Sequence, residues 1–467
     1  MPSDQEETSV VVIGAGLSGL QAARSLQDRG IATVVLEARS RIGGKTWSIP
    51  AGPSGLGVAD LGAEWLNDTT QPHVYQLAQA LGLDLAEVQV EGDAVLQLSN
   101  GDEEDHAVVI RHPYGEQAPL PNDEDEVVRR TKEQFQEEYS KVDLNRCHEC
   151  QHDDITLESF VRSRGGGSAT LATVAVWTRV MLGCEPSELS AASFFVYCRS
   201  QGGLMKMRSG QVQGKYLTVR TGAQSIAEGL AASLSTGSIK LSTAAKSIEQ
   251  DSHGAVVRST AGHVVRARKV IVAFSTPLCR KINFSPPLPA DKRLLVDSTA
   301  LGYYTKVMTS YSSPWWRENG LCGATQSHLG PAAATRDTSD DAHSGFRLTC
   351  FIAGQPGRKW AQLPAYERRA AILRQLAHLF TSSKAYHPVE YIEQQWSSEE
   401  WSLGCPCPYT PPGILGKVGS SLAEPHEHVH FVGTETAVEW KGYMEGALTA
   451  GIRGAAEVAT LVAGAEP

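Results

Sequence analysis

The segment from Val10 to Glu37 constrains the fold more than any other part of this chain. Val10 to Ile13 is an unbroken β-branched run, the signature of a strand covered on both faces. It leads straight into Gly14-Ala15-Gly16-Leu17-Ser18-Gly19, after which Leu17, Leu20, Ala23 and Leu26 recur at helical spacing until Gly30. Ile31 to Leu36 reads as a second strand with Glu37 at its carboxyl end. The unit is βαβ. Gly14 permits the tight turn, Gly16 lets backbone approach a pyrophosphate, and Gly19 allows helix to pack closely on strand. The helix N-terminus, which includes Ser18, offers free N–H groups and a positive dipole to phosphates. Glu37 is placed to accept hydrogen bonds from ribose hydroxyls, which favours an unphosphorylated adenosine.

The continuation Glu37-Ala38-Arg39-Ser40-Arg41-Ile42-Gly43-Gly44-Lys45-Thr46 selects FAD over NAD. A second glycine pair and a cation stand where another loop reaches the pyrophosphate. Lys45 keeps a positive charge there but lacks the bidentate fork of an arginine. Near the other end, Cys405 lies in Trp-Ser-Leu-Gly-Cys-Pro-Cys-Pro, and Gly442-Tyr443-Met444-Glu445-Gly446-Ala447 follows. Together these segments describe a chain that binds a flavin at its beginning and closes over the isoalloxazine at its end.

At 467 residues, two lobes are expected. The reading is interleaved: residues 1–88, 214–285 and 390–467 form an FAD-binding domain, and 89–213 with 286–389 a substrate domain. Asp60 to Trp65 reads as a strand-to-loop segment facing the flavin. Asp123 to Lys141, Leu171 to Leu182, Leu189 to Tyr197 and Pro364 to Phe380 read as helices, and Lys269 to Phe274 as a buried strand. Pro331 to Gly345 reads as a surface loop. A net charge of −10 argues against nucleic acid or an anionic membrane as partner. No apolar stretch is long enough for a spanning helix, and nine cysteines without a secretory signal point to the cytosol. Cys147-His148-Glu149-Cys150 with His152 is half a zinc site without its second pair, so no metal is expected.

With these segments in order, the chain resembles the flavin monoamine oxidases, most closely the soluble fungal amine oxidases that lack a membrane tail. The likeness is carried by the fingerprint through Gly44, Arg280-Lys281-Ile282-Asn283-Phe284, Trp315-Trp316-Arg317, Trp396 to Gly413, and Gly433-Thr434-Glu435-Thr436-Ala437 through Gly446. The resemblance implies an α/β fold: a glutathione-reductase-type, Rossmann FAD domain interleaved with an α+β substrate domain of mixed sheet and helices. It also implies that Gly14, Gly16, Ser18, Gly19, Glu37, Ala38, Arg39, Lys45, Gly62, Ala63, Ala245, Glu435 and Met444 hold the cofactor.

By the same resemblance, Lys281 matches a lysine that holds a water beside flavin N5, and Trp396 one packed beside the ring. Tyr443 matches one wall of an aromatic cage for the amine. The opposite wall is a tyrosine in the animal enzymes and Pro406 here. Cys405 falls on the cysteine that carries a thioether to the flavin in those enzymes, a link that many fungal relatives lack, and Cys407 offers a second thiol. Arg208 and Lys215 fall near cavity positions that are uncharged in the animal enzymes. A buried cation there invites a carboxylate; otherwise both side chains point to solvent or to the flavin phosphates.

The implied activity is FAD-dependent amine oxidation. A neutral amine passes a hydride equivalent to N5, the imine hydrolyses to an aldehyde or ketone, and O2 becomes hydrogen peroxide. An L-amino-acid oxidase, a desaturase of a natural-product pathway and a flavin-holding scaffold without turnover remain as alternatives. The expected partners are a small amine and O2, with a homodimer open.

Overall fold

The computed structural model describes residues 5–52, 55, 57–98, 108–116, 118–120, 124–204, 214–343 and 345–463. Strand β1 (Gln5–Ile13), helix α1 (Leu17–Gln27) and strand β2 (Thr33–Leu36) form the expected βαβ unit. β1 pairs in parallel with β2 on one side and with Val264–Val272 on the other. Its side chains alternate between two cores. Val10 and Val12 join α1 and the helices Gln224–Ala232 and Met444–Ala463, while Val11 and Ile13 join the layer of Ala245–Asp251 and Gly254–Ser259. Val10, Val11 and Val12 are fully buried. Burial of that kind contributes about 1.5–3 kcal/mol per side chain, which explains an all-apolar strand where an alternating one is the rule for half-exposed sheets.

Eight strands make up this first sheet among the described residues. They come from both ends of the chain and its middle, since Val429–Phe431 pairs in parallel with Val264–Val272. The second sheet has seven strands, in the order Glu390–Gln395, Tyr304–Tyr311, Phe346–Ala353, Ala332–Asp337, Leu321–Ser327, Asp93–Leu98, Val108–Pro113. Glu390–Gln395 pairs with Tyr304–Tyr311, so the chain returns towards the first sheet after 395 rather than at 390.

Helices Glu124–Ser140, Leu157–Ser163, Ser168–Leu182 and Ala191–Ser200 pack around Phe135, Phe160, Trp177, Phe194 and Phe195. Phe135 makes edge-to-face contacts with Trp177, Phe194 and Phe195. The expected surface loop at 331–345 is a finding in the other direction. Ala332–Asp337 is a buried strand between two neighbours, and the loop begins only afterwards. Its three alanines carry little strand signal, but small side chains fit there, and Gln375 caps its start through Ala332 N–H and C=O at 2.9 and 2.8 Å.

The C-terminal helix Met444–Ala463 lies directly on α1. A Cβ at Gly451 would sit 2.4 Å from the Ser18 carbonyl oxygen, so the two backbones meet without a side chain between them. The turn is equally tight: a Cβ at Gly19 would sit 1.9 Å from the Gly14 carbonyl oxygen. Gly19→Ala is therefore expected to push α1 off the turn and yield protein without bound flavin. Absorbance near the flavin bands of the purified variant checks this, and a yellow Gly19→Ala protein would contradict it.

Candidate active site

The βαβ turn opens one end of a long cleft. α1 starts at Leu17 without a side-chain cap, leaving its first N–H groups free towards the cleft. Gly43 N–H donates to Ala15 C=O at 2.8 Å, and Gly16 bridges Gly43, so the second glycine loop is laid against the first. Gly44 is the sole backbone within 4 Å of a Cβ built on Gly16, which leaves an open cradle of phosphate size. Glu37 is buried, its two oxygens accepting from Ala15 N–H at 2.7 Å and Arg39 N–H at 2.8 Å. That fixes its carboxylate at the end of β2 with lone pairs to spare. Ser18, Ala38, Arg39 and Ala245 line the same cleft. The residues present therefore fit a dinucleotide.

The cleft meets a second cavity of about 340 Å³. Lys45, Ala63, Pro406, Gly442, Tyr443 and Met444 line both. Beyond that junction the wall is aromatic: Trp65, Trp177, Tyr197, Tyr216, Tyr304, Phe351 and Trp396. Trp396 is buried, and its indole N–H donates to the Leu61 carbonyl at 2.8 Å. The backbone of Gly62 slides between Lys45 and this ring: a Cβ there would lie 1.8 Å from the Lys45 carbonyl oxygen and 3.1 Å from Trp396. Tyr443 stacks edge-on to Trp440 at 5.1 Å and is hydrogen-bonded to the Tyr197 hydroxyl. Burial raises both Tyr443 and Cys405 to about 12, so each stays protonated at neutral pH. Cys405 lines the chamber, whereas the equally buried Cys407 packs beneath Gly442 and lines neither cavity.

The chamber holds a cation that the sequence reading missed. Lys306 is buried, and its ammonium donates to Asp60 C=O at 2.6 Å, Gly62 C=O at 3.1 Å and Glu64 Oε2 at 2.7 Å. It lies mid-strand in Tyr304–Tyr311, among residues that are otherwise buried and largely uncharged. A lone lysine inside such a run was the available signal, since lysines are almost never fully buried unless paired. Asp60 lies beside it. Its carboxyl accepts from Ser48 and from Ala223 N–H, and burial followed by the nearby Glu64 raises it to about 7.

Three expected positions lie outside the aromatic chamber, and a fourth cannot be placed among the described residues. Lys281 ends a short 3-10 turn (Thr276–Lys281), pairs with Glu400 and lies over the Trp401 ring. It borders the dinucleotide cleft together with Leu278 and Ala245, but not the aromatic chamber. Lys215 points to solvent and pairs with Glu87 across adjacent strands, so it is no cavity cation. Glu435 does not line the cleft. It accepts from the Thr276 N–H and hydroxyl at 2.6 and 2.9 Å and so holds the turn that does. Arg208 lies outside the described residues.

Comparison with known proteins is consistent with this geometry. A family model described as flavin containing amine oxidoreductase matches residues 17–459. The chain is 34% identical to the putative flavin-containing monoamine oxidase AofH of Mycobacterium tuberculosis, over 97% of each chain. It is 33% identical to a flavin-containing amine oxidase of Danio rerio, covering 96% of this chain and 85% of that one. Among solved structures, putrescine oxidase bound to putrescine superposes with a TM-score of 0.89 at 25% identity, over 97% of this chain and 99% of that one. Cyclohexylamine oxidase from Brevibacterium oxydans gives 0.90 at 27% identity, over 98% and 99%. No helix among the described residues is long and apolar enough to cross a membrane.

Asp60 carries a pH signature. Its folded-state pKa of about 7 lies above the ordinary 3.8 of an aspartate, so the folded protein keeps a proton that the unfolded chain has lost in between. Its contribution to stability is largest below pH 4 and falls as pH rises through 7. Asp60→Asn is expected to gain on the parent as pH rises across that window, read as the difference in thermal midpoints. A difference that is flat with pH contradicts the assignment.

Proposed function

The chain belongs to the flavin-containing amine oxidoreductases, and from that premise we propose a monoamine oxidase whose reacting carbon lies where the two cavities join. It is an FAD-dependent amine oxidase with dioxygen as acceptor. The observation that carries the placement is the set Lys45, Ala63, Pro406, Gly442, Tyr443 and Met444, which faces the dinucleotide cleft on one side and the aromatic chamber on the other. Bound there, the flavin supplies a two-electron acceptor for the α-C–H bond of an amine and a donor to O2.

The protein residues do the rest. Trp396 and the backbone at Gly62 fix the floor of the chamber. Tyr443 presents an electron-rich ring face to the substrate nitrogen, and the dry aromatic wall favours the neutral amine, whose lone pair assists C–H cleavage. Pro406 offers no second ring, which leaves room for a bulkier group beside Tyr443. Lys306, held by three oxygens, keeps a cation at the wall where negative charge develops during transfer to O2. This role moves to Lys306 from Lys281, which lies along the cleft.

Substrate choice follows from charge. Glu64 is the one carboxylate among the described residues lining the chamber, and Lys306 already occupies it. A diamine such as putrescine therefore finds no free carboxylate for its distal ammonium, whereas a monoamine with an apolar body suits the walls. With Lys215 at the surface, one of the two motives for an α-amino-acid oxidase is removed. Nine free cysteines support a reducing, cytosolic setting.

Anaerobic addition of a neutral monoamine is expected to bleach the flavin, faster as pH rises through the amine's pKa. An amine panel that leaves the colour unchanged would falsify the reading. On readmission of air, Lys306→Met should recover colour about 100-fold more slowly, the scale of losing one preorganised charge, while Lys281→Met stays within about twofold of the parent. We also assign any thioether link to Cys405, because it lines the chamber and Cys407 does not. After acid precipitation, yellow colour should leave the pellet in Cys405→Ala and stay in Cys407→Ala. The reverse pattern overturns that assignment.

A further inference from the structure

The end of the chamber away from the flavin junction opens into an outer cavity, and Lys132, Trp177, Gln326 and Arg336 line both. Arg336 decides the character of this passage. It sits near the end of the buried strand Ala332–Asp337, and its guanidinium donates only to the carbonyl of Thr335, at 3.0 Å. The adjacent acid is spent elsewhere. Asp337 projects to the opposite face of the strand, where it accepts from the Trp316 indole at 2.7 Å and from Arg317 at 2.6 and 3.0 Å. No ion pair joins Arg336 to any carboxylate among the described residues.

Among the described residues that line the passage, no carboxylate lies against it. Lys132 lies over the Trp177 ring at 5.7 Å, so the passage carries a second cation. His328 is held neutral by burial, its pKa lowered to about 4. Glu116 is the one carboxylate among the described residues of the outer cavity, and it lies at the exposed rim. Between the passage and the flavin junction stands Tyr304, close enough to both Cys405 and Arg336 for each to bear on its ionisation. Tyr304, Cys405 and Arg336 thus line one continuous chamber.

Resting on the amine oxidase reading above, we propose that Arg336 is a specificity residue for amines bearing a carboxylate at the end remote from the nitrogen. The guanidinium fork pairs with a carboxylate through two parallel N–H···O bonds, and it repels the second ammonium of a diamine. An α-amino acid gains nothing here, because its carboxylate is attached at the reacting carbon. Arg336 positions the substrate and takes no part in the chemistry.

The test uses the FAD-loaded enzyme and three ring amines built on one para-substituted benzylamine core: para-(aminomethyl)benzoate, its methyl ester and para-xylylenediamine. The parent enzyme should turn over the acid with a kcat/KM about 100-fold above the diamine, through KM, with the ester between them; two charge contacts of opposite sign at a half-buried site are on that scale. Arg336→Glu should invert the acid-to-diamine ratio, and Arg336→Lys should restore part of it, keeping charge without the fork. Bleaching by the ester reports that each variant is folded and loaded. A parent enzyme that treats all three amines alike, or prefers the diamine, overturns the proposal without any variant. So does an Arg336→Glu enzyme with an unchanged ratio. If the ester, too, leaves the parent flavin oxidised, it is the neutral-monoamine reading that fails instead.

Discussion

The buried ammonium of Lys306 ties together the parts of this molecule that must agree. It leaves the second sheet from Tyr304–Tyr311 and ends on three oxygens of residues 60–64, a loop that follows the small hairpin Ser48–Ala51 and Gly57–Asp60. Burying a lysine beside two carboxyls is costly unless every partner is in place. Here all three acceptors are supplied by the same short loop. The contact therefore ties the second sheet to the loop after this hairpin and positions Gly62, Ala63 and Trp65 along the chamber wall. Trp396 reads the same loop from the other side through Leu61 C=O. The aromatic chamber is a consequence of this clasp as much as of its own rings.

Most of the nucleotide end was legible in the sequence because its constraints are local. A glycine that must tolerate an adjacent carbonyl, a strand apolar on both faces and an acid at a strand end are all set by neighbours within about thirty residues. Three of the four helices from 124 to 200 were legible for the same reason, whereas the short Leu157–Ser163 was not read. What failed depended on distance in sequence. Lys306 lies inside a strand that the sequence reading did not single out, and only tertiary packing tells it from Lys281 at the end of an exposed turn. Lys215 looked like a cavity residue until Glu87, on a neighbouring strand, claimed it. Glu435 gives one oxygen to Thr276, a partner far away in sequence, and keeps the other buried and unpaired. The strand at 332–337 was hidden by composition, since three alanines in a run bounded by proline and glycine read as loop.

The two ends of the chamber differ in character. Beside Tyr443, where cleft and chamber join, the wall carries Pro406. At the far passage Arg336 brings a cation from the buried strand Ala332–Asp337. On the proposal above, charge is read at the far passage, where it does not interfere with a neutral nitrogen.

The contact of Gly451 with the Ser18 carbonyl makes the phosphate turn dependent on long-range closure. The turn is local, but the helix that braces it comes from the opposite end of the described residues. Any side chain at Gly451 would therefore act as a wedge on a site to which that position contributes no ligand atom.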